Sequence, residues 1–209
     1  MNRDTLIGLG ALVVVIIGAA LYYGLHPAPA KAPGGSVTTS LTNPYTEHGA
    51  YYDVSATYPT STPLPTSSSE AAINAMQGWM LATISQFKSD TNAENPSPND
   101  ISAMGFDQGR KVSLDITYRT FTSPHTVSYV FTAYEDTGGA HGNTFFKTFT
   151  FDTQASNELE LVDLFTPSSG YLGKLSSMAR AKLPTILGDM ADTQMVDAGT
   201  APDAKSFES

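Results

Sequence analysis

The chain contains no cysteine. That excludes a disulfide framework, a lipid-modified cysteine anchor and any thiolate metal site. Basic side chains are scarce: eleven Lys and Arg stand against twenty Asp and Glu, for a net charge of −9. Such a surface disfavours nucleic acid and anionic lipid as partners and suits a basic protein. Histidine is sparse too. His26, His48, His125 and His141 are scattered, and none forms an H-x-x-x-H or H-E-x-x-H pair. No metal site and no cofactor are therefore expected.

Charge is also missing from one continuous stretch. Leu6 to Leu25 reads LIGLGALVVVIIGAALYYGL, long enough as a helix to cross the roughly 30 Å hydrocarbon core of a bilayer. Residues 1–25 are expected to be an N-terminal membrane anchor, with Tyr22 and Tyr23 suited to the interface. Only Met1 to Thr5 precede the span, so the rest of the chain is placed outside the cytoplasm as a single-pass membrane protein. The alternative is a signal peptide cleaved near Ala28-Pro29-Ala30, giving a secreted domain. Residues 26–50 follow as a linker rich in Pro, Gly, Ser and Thr. Residues 51–209 are then one extracytoplasmic domain, with no internal repeat.

Within that domain Tyr51–Tyr58 alternates as a strand, with Tyr52, Val54, Ala56 and Tyr58 on one face. Prolines at 59, 63 and 65 end it. Glu70 to about Ser89 reads as a helix, with an apolar stripe of Ile73, Met76, Met80, Ile84 and Phe87 beside Trp79, and Ser67 spaced from Glu70 as a capping box. Asp90–Asp100 reads as a loop. Four strand patterns follow: Lys111–Thr122, Thr126–Glu135, Thr144–Phe151 and Glu158–Leu164. Ser169 to about Leu183 is a second amphipathic helix, which Pro184 ends or kinks. Beyond Thr185 the chain is acidic and weakly patterned. The expected fold class is α+β: an antiparallel sheet with two packed amphipathic helices, preceded by one transmembrane helix.

Between two strands lies Asp136-Thr137-Gly138-Gly139-Ala140-His141-Gly142-Asn143. Glycines at this density give backbone conformations other residues avoid, or allow close approach by another molecule. The bland reading is a hairpin connection with His141 in a local hydrogen bond. The functional reading is a binding loop formed by Gly138, Gly139, Ala140, His141, Gly142 and Asn143, with Tyr134 and Glu135 at its edge. Catalysis is the least supported reading, because His141 has no evident nucleophile or orienting acid.

The order Tyr58-Pro59, Ala72-Ile73-Asn74, the Gly138–Asn143 loop, Thr150-Phe151-Asp152, then Leu161, Asp163, Leu164, Phe165, Tyr171 and Leu172 resembles a known family. It is similar to the extracytoplasmic domain shared by RsiV-type lysozyme-receptor anti-sigma factors and the non-catalytic N-terminal region of PdaC-type peptidoglycan deacetylases, over roughly Tyr51–Pro184. The resemblance implies an α+β domain working in the cell envelope, binding peptidoglycan-related material or a lysozyme-like protein. It does not imply sigma-factor sequestration, since only five residues precede the span. Nor does it imply deacetylation: Thr150-Phe151-Asp152-Thr153 has Thr153 where the catalytic domain's motif has a second Asp, and the metal-binding His pair is missing. The family pattern runs on past the second helix, so the expectation is either a domain cut short at Ser209 or a divergent member of the family.

The resulting expectation is a membrane-anchored binding or sensing domain, not an enzyme, whose partner is cell-wall glycan or a basic protein such as lysozyme. The alternatives are a peptidoglycan-modifying, deacetylase-like enzyme and a purely structural envelope module.

Overall fold

The computed structural model describes residues 43–188 and 192–201. The expected anchor and most of the linker lie outside the described residues. Among the described residues no helix is long and apolar enough to cross a membrane.

Six strands form one sheet in the order β1-β2-β3-β4-β5-β6: Tyr45–His48, Tyr52–Ala56, Val112–Thr122, Thr126–Asp136, Asn143–Asp152 and Glu158–Leu159. The sheet is mixed, which corrects the antiparallel expectation. β1 pairs antiparallel with β2 and β3 with β4, but β2 and β3 run parallel, with Val54 opposite Leu114. The cause is the long connection from Thr57 to Lys111, which carries helix α1 (Thr66–Thr91) and the short α2 (Pro98–Ala103). A crossover of that length can return the next strand in the same direction, whereas a two-residue hairpin cannot.

Burial alternates along β3 and β4. Val112, Leu114 and Ile116 of β3, and Val127, Tyr129, Phe131 and Ala133 of β4, are buried. Helix α1 contributes Ala72, Met76, Met80, Ile84 and Phe87 to the same core. Burying each large side chain of this kind stabilises by about 1.5–3 kcal/mol. Phe131 is central. It pairs in register with Tyr118, at a ring distance of 5.6 Å, and lies 5.9 Å from Phe149 and 5.2 Å from Trp79 of α1.

Other boundaries differ from the sequence reading. Tyr45–His48, counted there with the linker, form the edge strand β1. α1 begins one turn early, at Thr66 after Pro65, and makes no side-chain cap, so the Ser67–Glu70 box does not form. The box forms instead at Ser97, whose hydroxyl accepts from the Asp100 amide while the Asp100 carboxylate accepts from the Ser97 amide; it starts α2 inside the expected loop. Glu158–Leu164 is not a full strand. After two residues Asp163 Oδ2 accepts from the Glu160 amide at 2.8 Å and winds Leu161–Leu164 into a 3-10 turn.

The chain divides into two compact units. Among the described residues, one takes residues 43–144 with Thr148–Glu158, and the other takes Phe145–Lys147 with residues 159–188 and 192–201. In the second unit α3 (Tyr171–Leu187) runs three residues past Pro184 and packs against α4 (Thr193–Gly199) through Ala179, Leu183 and Val196. Arg180 donates to the Asp197 carbonyl and the Thr200 hydroxyl, holding this pair together.

Candidate functional site

The glycine-rich segment is the connection between β4 and β5. Tyr134 and Glu135 lie near the end of β4, Gly138 to Gly142 in the loop, and Asn143 is the first residue of β5. The structure therefore brings all eight sequence-derived candidates to one end of this hairpin. Its base is braced. Asp136 Oδ1 accepts from the Gly138 amide at 2.8 Å, and the Arg110 guanidinium reaches both the Asp136 carboxylate, at 3.8 Å, and the Gly139 carbonyl, at 3.4 Å. Asn143 donates to Glu135 at 3.3 Å.

Two glycines are required here for different reasons. Gly138 has φ +86°, and a Cβ would meet Met104 Cε at 2.6 Å. At Gly142 a Cβ would overlap the Tyr134 phenol. The missing side chain lets that ring lie over the loop while remaining 46% exposed.

Gly139, Ala140 and His141 at the tip are exposed. His141 Nδ1 lies 3.1 Å from the Gly142 carbonyl. With a carbonyl as its partner Nδ1 donates, so the neutral ring carries its acceptor lone pair on Nε2. The site thus offers an imidazole, a phenol and backbone amides: hydrogen-bonding and stacking groups on a fixed base. Among the described residues no group of three or more His, Asp or Glu is placed to hold a metal ion. Asp152, in the segment that faintly mimics a deacetylase motif, ends β5. Its carboxylate accepts from the amides of Gln154 and Ala155, and these bonds lower its pKa.

A second cluster went unread in the sequence. At the β1 edge of the sheet, Glu47 of β1 accepts from Lys88 Nζ at 2.8 Å, from the Tyr45 hydroxyl at 2.6 Å and from the Tyr52 hydroxyl at 2.5 Å. Lys88 also pairs with Glu94 at 2.7 Å and lies over the Tyr52 ring. Burial opposes the charge on Glu47, but Lys88 and the two phenols outweigh it and hold the carboxyl at about 2. Burial likewise opposes the Lys88 charge, and the carboxylates of Glu47 and Glu94 still raise its pKa. The hydrogen bond to Glu47, then burial, pushes the Tyr45 hydroxyl up to about 12. Every shift favours the protonation state already present at neutral pH. That is the signature of a structural clasp, unlike an acid or base poised near its working pH.

Gly49 sits in the β1–β2 turn, and a Cβ there would run into the Tyr52 ring. Because that ring is buried and held by Glu47, it has no easy retreat. Gly49→Ala is expected to destabilise the protein by about 1–3 kcal/mol, read as a lower midpoint in urea. An unchanged midpoint would show that the ring moves freely.

Residues 45–144 match the family model described as Deacetylase PdaC. Over 196 residues, 93% of the chain, the sequence is 25% identical to the "Peptidoglycan-N-acetylmuramic acid deacetylase PdaC" of Bacillus subtilis (strain 168). The chain covers 40% of that relative's length. The resemblance to the PdaC domain read from the residues is thereby borne out, as a distant homology, and both β1 and the Gly138–Asn143 loop fall within the matched segment. Two solved structures of DUF3298 family proteins are also similar. One, from Pseudomonas aeruginosa PAO1, is 13% identical with a TM-score of 0.35, covering 66% of this chain and 58% of that one. The other, from Bacteroides fragilis NCTC 9343, is 16% identical with a TM-score of 0.41, covering 70% and 63%.

Proposed function

We propose, from the premise that residues 45–144 are a PdaC-type domain, that this chain is an extracytoplasmic binding module of the cell envelope. Its ligand is peptidoglycan-related, and its contact surface is the β4–β5 loop with Tyr134. The observation that carries the reading is the contrast within that loop. Arg110, Asp136 and Gly138 fix its base, while the tip from Gly139 to His141 is exposed. A loop held in one conformation before contact loses less entropy on binding than a free one. Binding rather than turnover is our reading, because the groups at the tip and edge of the loop, an imidazole, a phenol and backbone amides, are suited to hydrogen bonding and stacking.

The test is co-sedimentation of the full chain, in detergent micelles, with purified wall sacculi. His141→Ala is expected to weaken binding about tenfold, equivalent to about 1.4 kcal/mol, with the melting temperature unchanged. Equal binding by the variant would remove the loop from the contact surface, and release of acetate from the sacculi would replace the binding reading with an enzymatic one.

A second reading rests on charge. Residues 43–158 carry twelve Asp and Glu against five Lys and Arg, a field that attracts a cationic protein such as lysozyme and weakens with salt. Calorimetric titration with lysozyme at two salt concentrations separates the two: heat that vanishes in moderate salt marks a nonspecific field.

A further inference from the structure

The face of the sheet turned away from the core has an organisation of its own. Along β3 and β4 it presents Phe121 and Tyr134, which are 48% and 46% exposed and among the few large apolar or aromatic side chains left open to solvent. Phe121 is opposite Ser128 and Tyr134 opposite Asp115. The two rings are therefore six strand positions apart, about 20 Å at ~3.3 Å per residue. Between them the face is hydroxyl-rich, with Thr117 paired to Thr132 and Ser128 hydrogen-bonded to Thr150 at 2.9 Å. It also carries Arg119. Within residues 43–158, Lys88, Arg110 and Lys111 are all engaged by carboxylates. Arg119 is exposed and makes no ion pair among the described residues.

We infer that this face is a platform for an extended glycan that bears carboxylates. Aromatic rings at the two ends supply flat amphipathic surfaces for sugar rings, and hydroxyls between them offer both donors and acceptors. In an acidic unit, the unpaired guanidinium provides the complementary charge that selects a carboxylate, with two parallel donors for its two oxygens. The inference rests on the envelope-binding reading and extends it. Tyr134, which lies over Gly142, joins the loop to the platform, and the ligand becomes a strand longer than a disaccharide running from Tyr134 to Phe121.

The test uses the full chain in detergent micelles and two defined probes: a tetrasaccharide of alternating N-acetylglucosamine and N-acetylmuramic acid, which carries lactyl carboxylates, and chitotetraose, which has the same backbone without them. Calorimetry is expected to show about tenfold tighter binding of the carboxylated strand. Arg119→Ala should erase that preference, and Phe121→Ala should weaken both probes about tenfold. Both side chains are exposed, so the variants should melt as the parent does. Wild-type affinity in Phe121→Ala and Arg119→Ala, with loss in His141→Ala, would overturn the platform and leave the loop standing. Loss in the first two with none in His141→Ala would support the platform and remove the loop. No heat with either probe would overturn the platform, while sacculus co-sedimentation would still judge the loop separately.

Discussion

Replacing Glu47 with alanine is expected to lower the stability of the folded chain by about 2–3 kcal/mol, less than the loss from breaking a fully buried pair because the site is partly open to solvent. The reason lies in what is left behind. The Tyr45 and Tyr52 hydroxyls and the Lys88 ammonium all converge on this carboxylate, with side-chain exposures of 29% for Glu47 and 17% for Lys88. Removing it leaves both phenols without their acceptor, and Lys88 only Glu94. Glu47→Gln keeps the shape and an acceptor oxygen, so it should cost less. The pH dependence supplies a second check. A carboxyl held at about 2 when folded, against 4.5 when free, contributes its full stability above pH 4.5 and loses it as pH falls from 4.5 towards 2. Lys88 and Tyr45 are both raised. Their contributions are complete below their free values and fade as pH rises past about 10. The stability difference between parent and Glu47→Ala should thus be widest between pH 5 and 9 and narrow at both ends. A difference that stayed constant from pH 7 down to pH 2.5 would show that the clasp is not ionic.

Phe131→Ala is expected to have the largest effect of any single change, a loss of about 3–5 kcal/mol. The side chain is fully buried and touches aromatic rings from three directions: Tyr118 on β3, Phe149 on β5 and Trp79 on α1. No small rearrangement of rigid rings fills the resulting cavity. Phe131→Leu, which keeps most of the volume, should recover much of the loss. Chemical denaturation followed by circular dichroism reads both. A loss below 1 kcal/mol for the alanine variant would mean that α1 closes onto β4 without it.

The sequence and the structure agree best where side chains alternate over many residues. Val112 to Tyr118 and Val127 to Ala133 declare their inner face because a period of two repeated three times has little competition. Leu159 and Leu161 show the same period only once, and there the Asp163 side chain captures the Glu160 amide and ends the strand. β1 was hidden because four residues, three of them polar, carry no pattern, and its pairing depends on the Gly49 turn. The parallel pairing of β2 with β3 has no local trace at all, since it follows from where a long crossover delivers the chain. The same distinction holds for the sites. The Gly138–Asn143 loop is contiguous, so its glycines were visible. Glu47 and Lys88 are 41 positions apart, and nothing in either neighbourhood points to the other.

The position of Trp79 makes the sheet unit separately observable. It is the chain's single tryptophan, packed between Phe131 and Phe149, and the α3–α4 pair has none. Tryptophan emission therefore reports the melting of the sheet unit alone, while the far-ultraviolet helical signal sums α1 with α3 and α4. Superimposable curves would mean that the two units unfold as one cooperative body. A helical transition preceding the fluorescence change would mark the α3–α4 pair as an independently melting appendage.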